Sequence, residues 1–217
     1  MPLSSEALHR AKTLAAEDAT IVLYGRLHIE HTEHYLSLIN YCQGAARRLG
    51  KEELLIEIDS PGGAIGIFSL FKTYLPKTGL PVRTRVVGGR SAQSSAAMIF
   101  LLGNNREVET SSSLLFHHIS SPNGFKTSNW RKNKRWQRKY DFDPYFATDD
   151  KSDCPWIDFF IEKTGLSRDF TENLFVADRE MFVKEIVELK IATTIPDVPQ
   201  PWHELLYPLH TKPYGGT

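Results

Sequence analysis

Residues 54–63 read LLIEIDSPGG. An aliphatic run of six, Leu54 to Asp59, is the length of a strand buried on both faces. Ser60-Pro61-Gly62-Gly63 then breaks it, because proline lacks an N–H and adjacent glycines turn freely. Downstream, residues 64–75 predict a helix that Pro76 ends, and Val82 to Val87 (VRTRVV) a third strand. Gly88-Gly89 follows, then a small-residue stretch leading into an apolar helix over 94–102, with short strands expected at 106–110 and 114–118. Upstream, Thr20 to Tyr24 (TIVLY) is a strand closed by Gly25. Across 32–49, Tyr35, Leu38, Ile39, Cys42, Ala45, Ala46 and Leu49 recur at three and four, an amphipathic helix stopped by Gly50. Strands alternating with helices predict an α/β fold on a mainly parallel sheet. Beyond His118 the pattern changes: 155–164 and 178–190 predict helices, and the Pro- and Tyr-rich tail from Ile195 is expected to wrap an existing surface.

The 217 residues suit one domain with elaborations, and 41% apolar with 24% charged residues excludes disordered, collagenous and coiled-coil classes. Lys plus Arg and Asp plus Glu are 26 each, so the formal charge is zero. The chain as a whole therefore has no pull on nucleic acid or anionic membrane. Cys42 and Cys154 make neither a disulfide framework nor a paired-cysteine zinc motif. The first twenty residues carry Glu6, Glu17 and Asp18 and no apolar stretch, unlike a secretory signal, and the longest apolar run, residues 96–102, is too short to span a bilayer. A soluble, cytoplasmic protein is expected, with 1–19 as an N-terminal extension, 20–195 as the main domain and 196–217 as a tail.

In a parallel sheet, ligands gather beyond the carboxyl ends of the strands. Ser60 to Gly63 sits at one such end, and residues 88–97, GGRSAQSSAA, at another. Glycines let the backbone approach a substrate, and a serine at a helix start lies among N–H groups that can hold an oxyanion. Taken singly these are a turn and an N-cap. His117 and His118 close the run LLF, and strand alternation sends them to opposite faces. A nucleophilic serine needs a base, and the base an orienting acceptor. Asp178 and Glu180 are the candidate acceptors.

The order SPGG, helix, GGRSAQSSAA, strand, LLFHH and the later TGLSRDF and ADREMF resembles the proteolytic subunit of the Clp protease family, over residues 20–192 and best over 54–118. The resemblance implies a crotonase-like spiral of β-β-α units with a C-terminal helical handle, divergent here across 126–165. It implies a serine endopeptidase in which Ser94 is the nucleophile and His117 the base. Glu180 matches the family's acidic position, with Asp178 as the alternative, and the amides of Gly63 and Ser95 would form the oxyanion hole. It implies no cofactor, polypeptide substrates, and a homo-oligomeric ring served by an ATP-dependent unfoldase. Departures from the family pattern are Ser95 for methionine, His118 for glutamine, and the absence of an obvious handle helix.

Two other functions fit parts of the same pattern: a crotonase-type acyl-CoA enzyme, which shares the paired-amide oxyanion hole, and a non-catalytic ring subunit. Residues 126–139 hold seven basic side chains interleaved with Trp130 and Trp136. The aspartates from Asp141 to Asp158 follow, so pairing between charged blocks is expected before nucleic-acid binding. His28, His31 and His34 suggest zinc by composition, but spacing across a strand exit and a helix start does not by itself assure the tetrahedral convergence of three imidazoles on one ion. No metal is expected, and Cys42 is read as a core residue.

Overall fold

The computed structural model describes residues 5–117 and 155–198. His118, the basic and acidic stretches over 118–154, Cys154 and the tail from 199 lie outside the described residues.

Helix α1 (Ser5–Asp18) leads into β1 (Thr20–Tyr24), α2 (Thr32–Leu49), β2 (Leu54–Asp59), α3 (Ile65–Tyr74) and β3 (Val82–Val86). Then come β4 (Ser91–Gln93), α4 (Ser95–Phe100), β5 (Asn105–Glu109) and β6 (Ser113–Leu115). After the gap follow α5 (Pro155–Thr164), α6 (Arg168–Ala177), β7 (Glu180–Phe182), α7 (Val183–Glu188) and β8 (Thr193–Ile195). Two sheets result: a parallel one in the order β1-β2-β3-β5-β8, and a smaller β4-β6-β7 in which β6 runs parallel to β4 and antiparallel to β7. Bridges at Leu27–Gly63 and Ser60–Ala92 join loops between the layers. The α/β class and mainly parallel sheet expected from residues 20–110 are present.

Sheet register explains which residues form the core. One face carries Ile21 and Leu23, Ile56 and Ile58, Val82 and Val86, and Val108, all buried in the main apolar cluster with α2, α3 and α4. The amphipathic period predicted over 32–49 does this work in α2, and Gly50, left-handed at φ 65°, ends the helix. The other face splits in two. Over β1 it is apolar, with Val22 and Tyr24 under Ala7 of α1, so the predicted extension is a packed helix. Over β2, β3 and β5 it is ionic. Arg85 bridges Glu57 (3.3 Å) and Glu107 (2.9 Å), and Arg83 bridges Glu53 (2.7 Å). Here Glu57 is nearly fully buried, so Arg85 brings a compensating positive charge to a buried carboxylate.

Aromatic side chains fasten the C-terminal helices to the rest. Phe68 of α3 meets Trp156 at 4.9 Å and Phe159 at 5.1 Å between ring centres. Phe116 meets Phe160 at 4.8 Å and Phe175 at 6.1 Å. Such pairs each add about 1 kcal/mol beyond their buried area.

One expected element is corrected. Residues 178–190 do not make a continuous helix: Asp178 is left-handed at φ 46°, Glu180–Phe182 is a strand, and only Val183–Glu188 is helical. The helical period ends at Ala177, and the edge of β6 supplies a partner that the local pattern cannot reveal. The helix at 168–177, capped by the Ser167 hydroxyl on the Phe170 N–H, was not anticipated.

His34, on α2, is 92% buried, and burial pushes its pKa down to about 4, with Lys12 and His31 adding to the effect. Unfolding lets it protonate near 6.5, so its contribution to stability is present above 6.5 and is lost as pH falls toward 4. Asp59 has the opposite sign: burial pushes it up to about 6, so its contribution is fully present below 3.8 and lost as pH rises through 6. We expect His34→Leu to gain on wild type by about 1–3 kcal/mol as pH falls through this range, read by urea denaturation. A gap that does not change with pH would rule this out.

Candidate active site

The site grows from the short sheet β4-β6-β7. Side chains alternate along a strand, and Leu114 and Phe116 are buried at 0% and 1% exposure. Leu115 and His117 are therefore turned to the opposite, half-open face. Register brings the neighbours to the same face, since Gln93 pairs with Leu115 and Leu115 with Glu180, while Ala92 and Met181 go inward with Leu114. Continuing the antiparallel register by two residues sets His117 opposite Asp178. The contact is direct: His117 Nδ1 lies 3.3 Å from Asp178 Oδ1. The two acceptors left open by the sequence are thus told apart in space. Glu180, the position the family pattern favours, makes no ion pair with His117 among the described residues; its Oε1 accepts from Gln93 Nε2 at 3.2 Å.

Ser94 stands where β4 turns into α4. Its backbone is at φ 54°, ψ −126°, a conformation L-residues rarely adopt and which costs about 1–3 kcal/mol. Its N–H donates to Leu115 O at 2.9 Å, so the residue is tied to the strand that presents His117 two positions on. This strand-to-helix elbow lifts a half-buried serine above the N-terminus of α4. Among the described residues, Ser94 Oγ makes no hydrogen bond, to His117 or otherwise. Ser95 begins the helix fully buried, its hydroxyl without a partner among the described residues and its N–H likewise outside any hydrogen bond there.

Ser60-Pro61-Gly62-Gly63 lies against this elbow. The Ser60 hydroxyl donates to Gly25 O at 2.6 Å and accepts the Gly62 N–H at 3.0 Å, pinning the loop to the end of β1. The sequence marks Ser60 as the start of this turn, and a serine ahead of Pro-Gly is a common turn former. Leu27 N–H donates to Gly62 O and Ala64 N–H to Leu27 O, both at 2.8 Å. The Gly63 N–H between them takes no part in a hydrogen bond among the described residues. Both loop glycines are required. Gly62 has φ 80°, and a Cβ there would sit 2.4 Å from Gln93 O and 2.8 Å from Ser94 Cβ; at Gly63, φ 148°, a Cβ would sit 2.2 Å from Leu27 O.

One further charge borders the site. Asp59, the residue before Ser60, has Arg90 Nε at 3.9 Å, and burial outweighs that cation in raising its pKa. The histidine set near α2 is separate. His28 Nδ1 pairs with Glu30 at 3.2 Å and its ring lies 6.0 Å from His31, while among the described residues no three His, Cys, Asp or Glu side chains are grouped to hold a metal. Cys42 is buried on α2, and burial pushes its thiol up to about 12, as befits a core residue. No helix among the described residues is long and apolar enough to cross a membrane.

No family model and no curated protein matches the chain. Among solved structures, a mutant of ClpP1 from Listeria monocytogenes superposes with a TM-score of 0.60 at 16% identity, covering 87% of this chain and 96% of that one. The chain therefore has the Clp-like, crotonase-like fold.

The geometry at Gly62 yields a direct expectation. Gly62→Ala forces a methyl into the Gln93 carbonyl and the Ser94 side chain, at a backbone angle alanine resists. It should cost about 1–3 kcal/mol of stability and displace Ser94, read by thermal unfolding and by the Ser94 and Ser95 amide chemical shifts. Wild-type stability and shifts in the variant would contradict this packing.

Proposed function

We propose that the chain is a serine endopeptidase of Clp proteolytic-subunit type. The observation that carries the reading is the contact of His117 Nδ1 with Asp178 Oδ1 at 3.3 Å. It is supported by the strained backbone of Ser94, whose N–H bonds the strand that carries His117, and by the Gly63 and Ser95 amides, which have no hydrogen-bond partner among the described residues.

In this reading, Ser94 Oγ attacks the peptide carbonyl and passes its proton to His117 Nε2. Asp178 accepts the His117 Nδ1–H bond, which selects the tautomer and steadies the imidazolium. The Gly63 and Ser95 N–H groups receive the oxyanion. His117 returns the proton to the leaving amine, and water then cleaves the acyl-enzyme by the same path. Closure of the Ser94–His117 hydrogen bond accompanies substrate binding, as is common where the free enzyme holds its nucleophile loosely. Asp178, rather than Glu180, is the proposed third member, because its carboxylate is the one at the imidazole.

The Clp-like fold also supports assembly as a homo-oligomeric ring around the sites, with unfolded polypeptides as substrates and an ATP-driven unfoldase to deliver them. Exposed apolar side chains at Val176 (71%) and Phe182 (63%) are consistent with a face that another copy covers.

Fluorophosphonate labelling of the purified chain tests the chemistry. Wild type should label at one serine, and Ser94→Ala should abolish labelling. Asp178→Asn should slow labelling and peptide hydrolysis by about a thousandfold or more, as loss of the orienting carboxylate does in serine peptidases. A folded wild type that neither labels nor cleaves would remove the peptidase reading in favour of a non-catalytic subunit.

A further inference from the structure

We infer that Gln93 and Glu180 form a positioning pair that holds the Asp178 end of β7 in place across the sheet from the nucleophile strand. The inference rests on the peptidase reading and extends it to two residues that reading does not use.

Strands β4 and β7 share no backbone ladder, because β6 lies between them. Gln93, Leu115 and Glu180 form one in-register row across the three strands, all on the half-open face. Gln93 spans that row, donating from Nε2 to Glu180 Oε1 at 3.2 Å and to Ser91 Oγ at 2.9 Å. The second bond directs the amide along its own strand, so the first is not a chance surface contact. Gln93 immediately precedes Ser94, and Glu180 is two residues from Asp178. Two residues further along β6 on the same face, His117 stands opposite Asp178, while Ser94 follows Gln93 at the end of β4.

Asp178 needs such help. It is 63% exposed at the end of α6, and the strand that follows it is an edge of three residues, so neither burial nor a long ladder fixes its distance to His117. Arg179, between the two acids, is held by Glu185 through bonds of 2.7 and 2.6 Å. Arg179 thus anchors the turn to α7, and Glu180 anchors it to β4. In this arrangement Asp178 is at the imidazole Nδ1 and the Glu180 carboxylate receives the Gln93 amide.

A double-mutant cycle on the full chain tests the pair, using labelling rates of wild type, Gln93→Met, Glu180→Met and the double variant. Each single change should slow labelling by about tenfold, and the double variant should be no slower than either. Glu180→Gln, whose amide oxygen still accepts, should stay close to wild type. A purely structural loss would lower the rate without moving its pH profile. Loosening Asp178 should move the midpoint in Gln93→Met toward lower pH, in the direction of Asp178→Asn. Multiplying single effects, or an unmoved midpoint, would overturn the pair. A fall in Glu180→Gln as deep as in Asp178→Asn would instead make Glu180 the acceptor. Amide exchange across Glu180–Phe182 needs no activity and should rise in Gln93→Met. Unchanged exchange sinks the pair even if wild type does not label, whereas absent labelling with raised exchange sinks only the peptidase reading.

Discussion

Burial of Leu114 and Phe116 is the constraint on which the site depends. Phe116 packs between Phe160 and Phe175, and this contact orients β6. Because a strand alternates with a period of two, fixing those side chains inward turns Leu115 and His117 outward. A slip of one residue would bury the histidine and expose the phenylalanine, losing the transfer energy of an aromatic ring, about 2–3 kcal/mol. Which side chains the front face presents is thus set by apolar packing on the back.

The same logic links distant parts of the chain. The aromatic cluster joins β6 to α5 and α6, and α6 ends at Asp178, the residue that reaches His117. On the other side, the SPGG loop is pinned by Ser60 and by the Leu27 bridge, and its glycines touch the elbow at Ser94. Ser94, His117, Asp178 and the Gly63 and Ser95 amides thus hang on four loops joined to one core. Strain at Ser94 persists because the parallel pairing of β4 below and the helix above both fix its backbone.

Polar burial tells a related story on the larger sheet. Its outer face carries a ladder of alternating charges in place of apolar residues, and α1 covers only the β1 end. At the far end, buried Glu109 accepts the Gly88 and Val198 N–H groups, and Asp197 accepts from Thr110 and Ser111. Asp197 and Val198 thus lie on the turn that leads to β4.

Much of this architecture could be read from the residues alone. The aliphatic run 54–59, the three-and-four period of 32–49 and the breakers Gly25, Gly50 and Pro76 each carry their structure locally, since propensity and periodicity act over a few residues. Ser94, His117 and Gly63 could be named as candidates from their neighbours in the sequence. The strand at Glu180–Phe182 could not, because three residues form a strand only when an edge is already there to pair with. Nor could the choice between Asp178 and Glu180 be made, for two acids two positions apart differ only in register. Which of them meets the imidazole follows from how β7 lies on β6, and that is set by side chains more than sixty residues away in the chain.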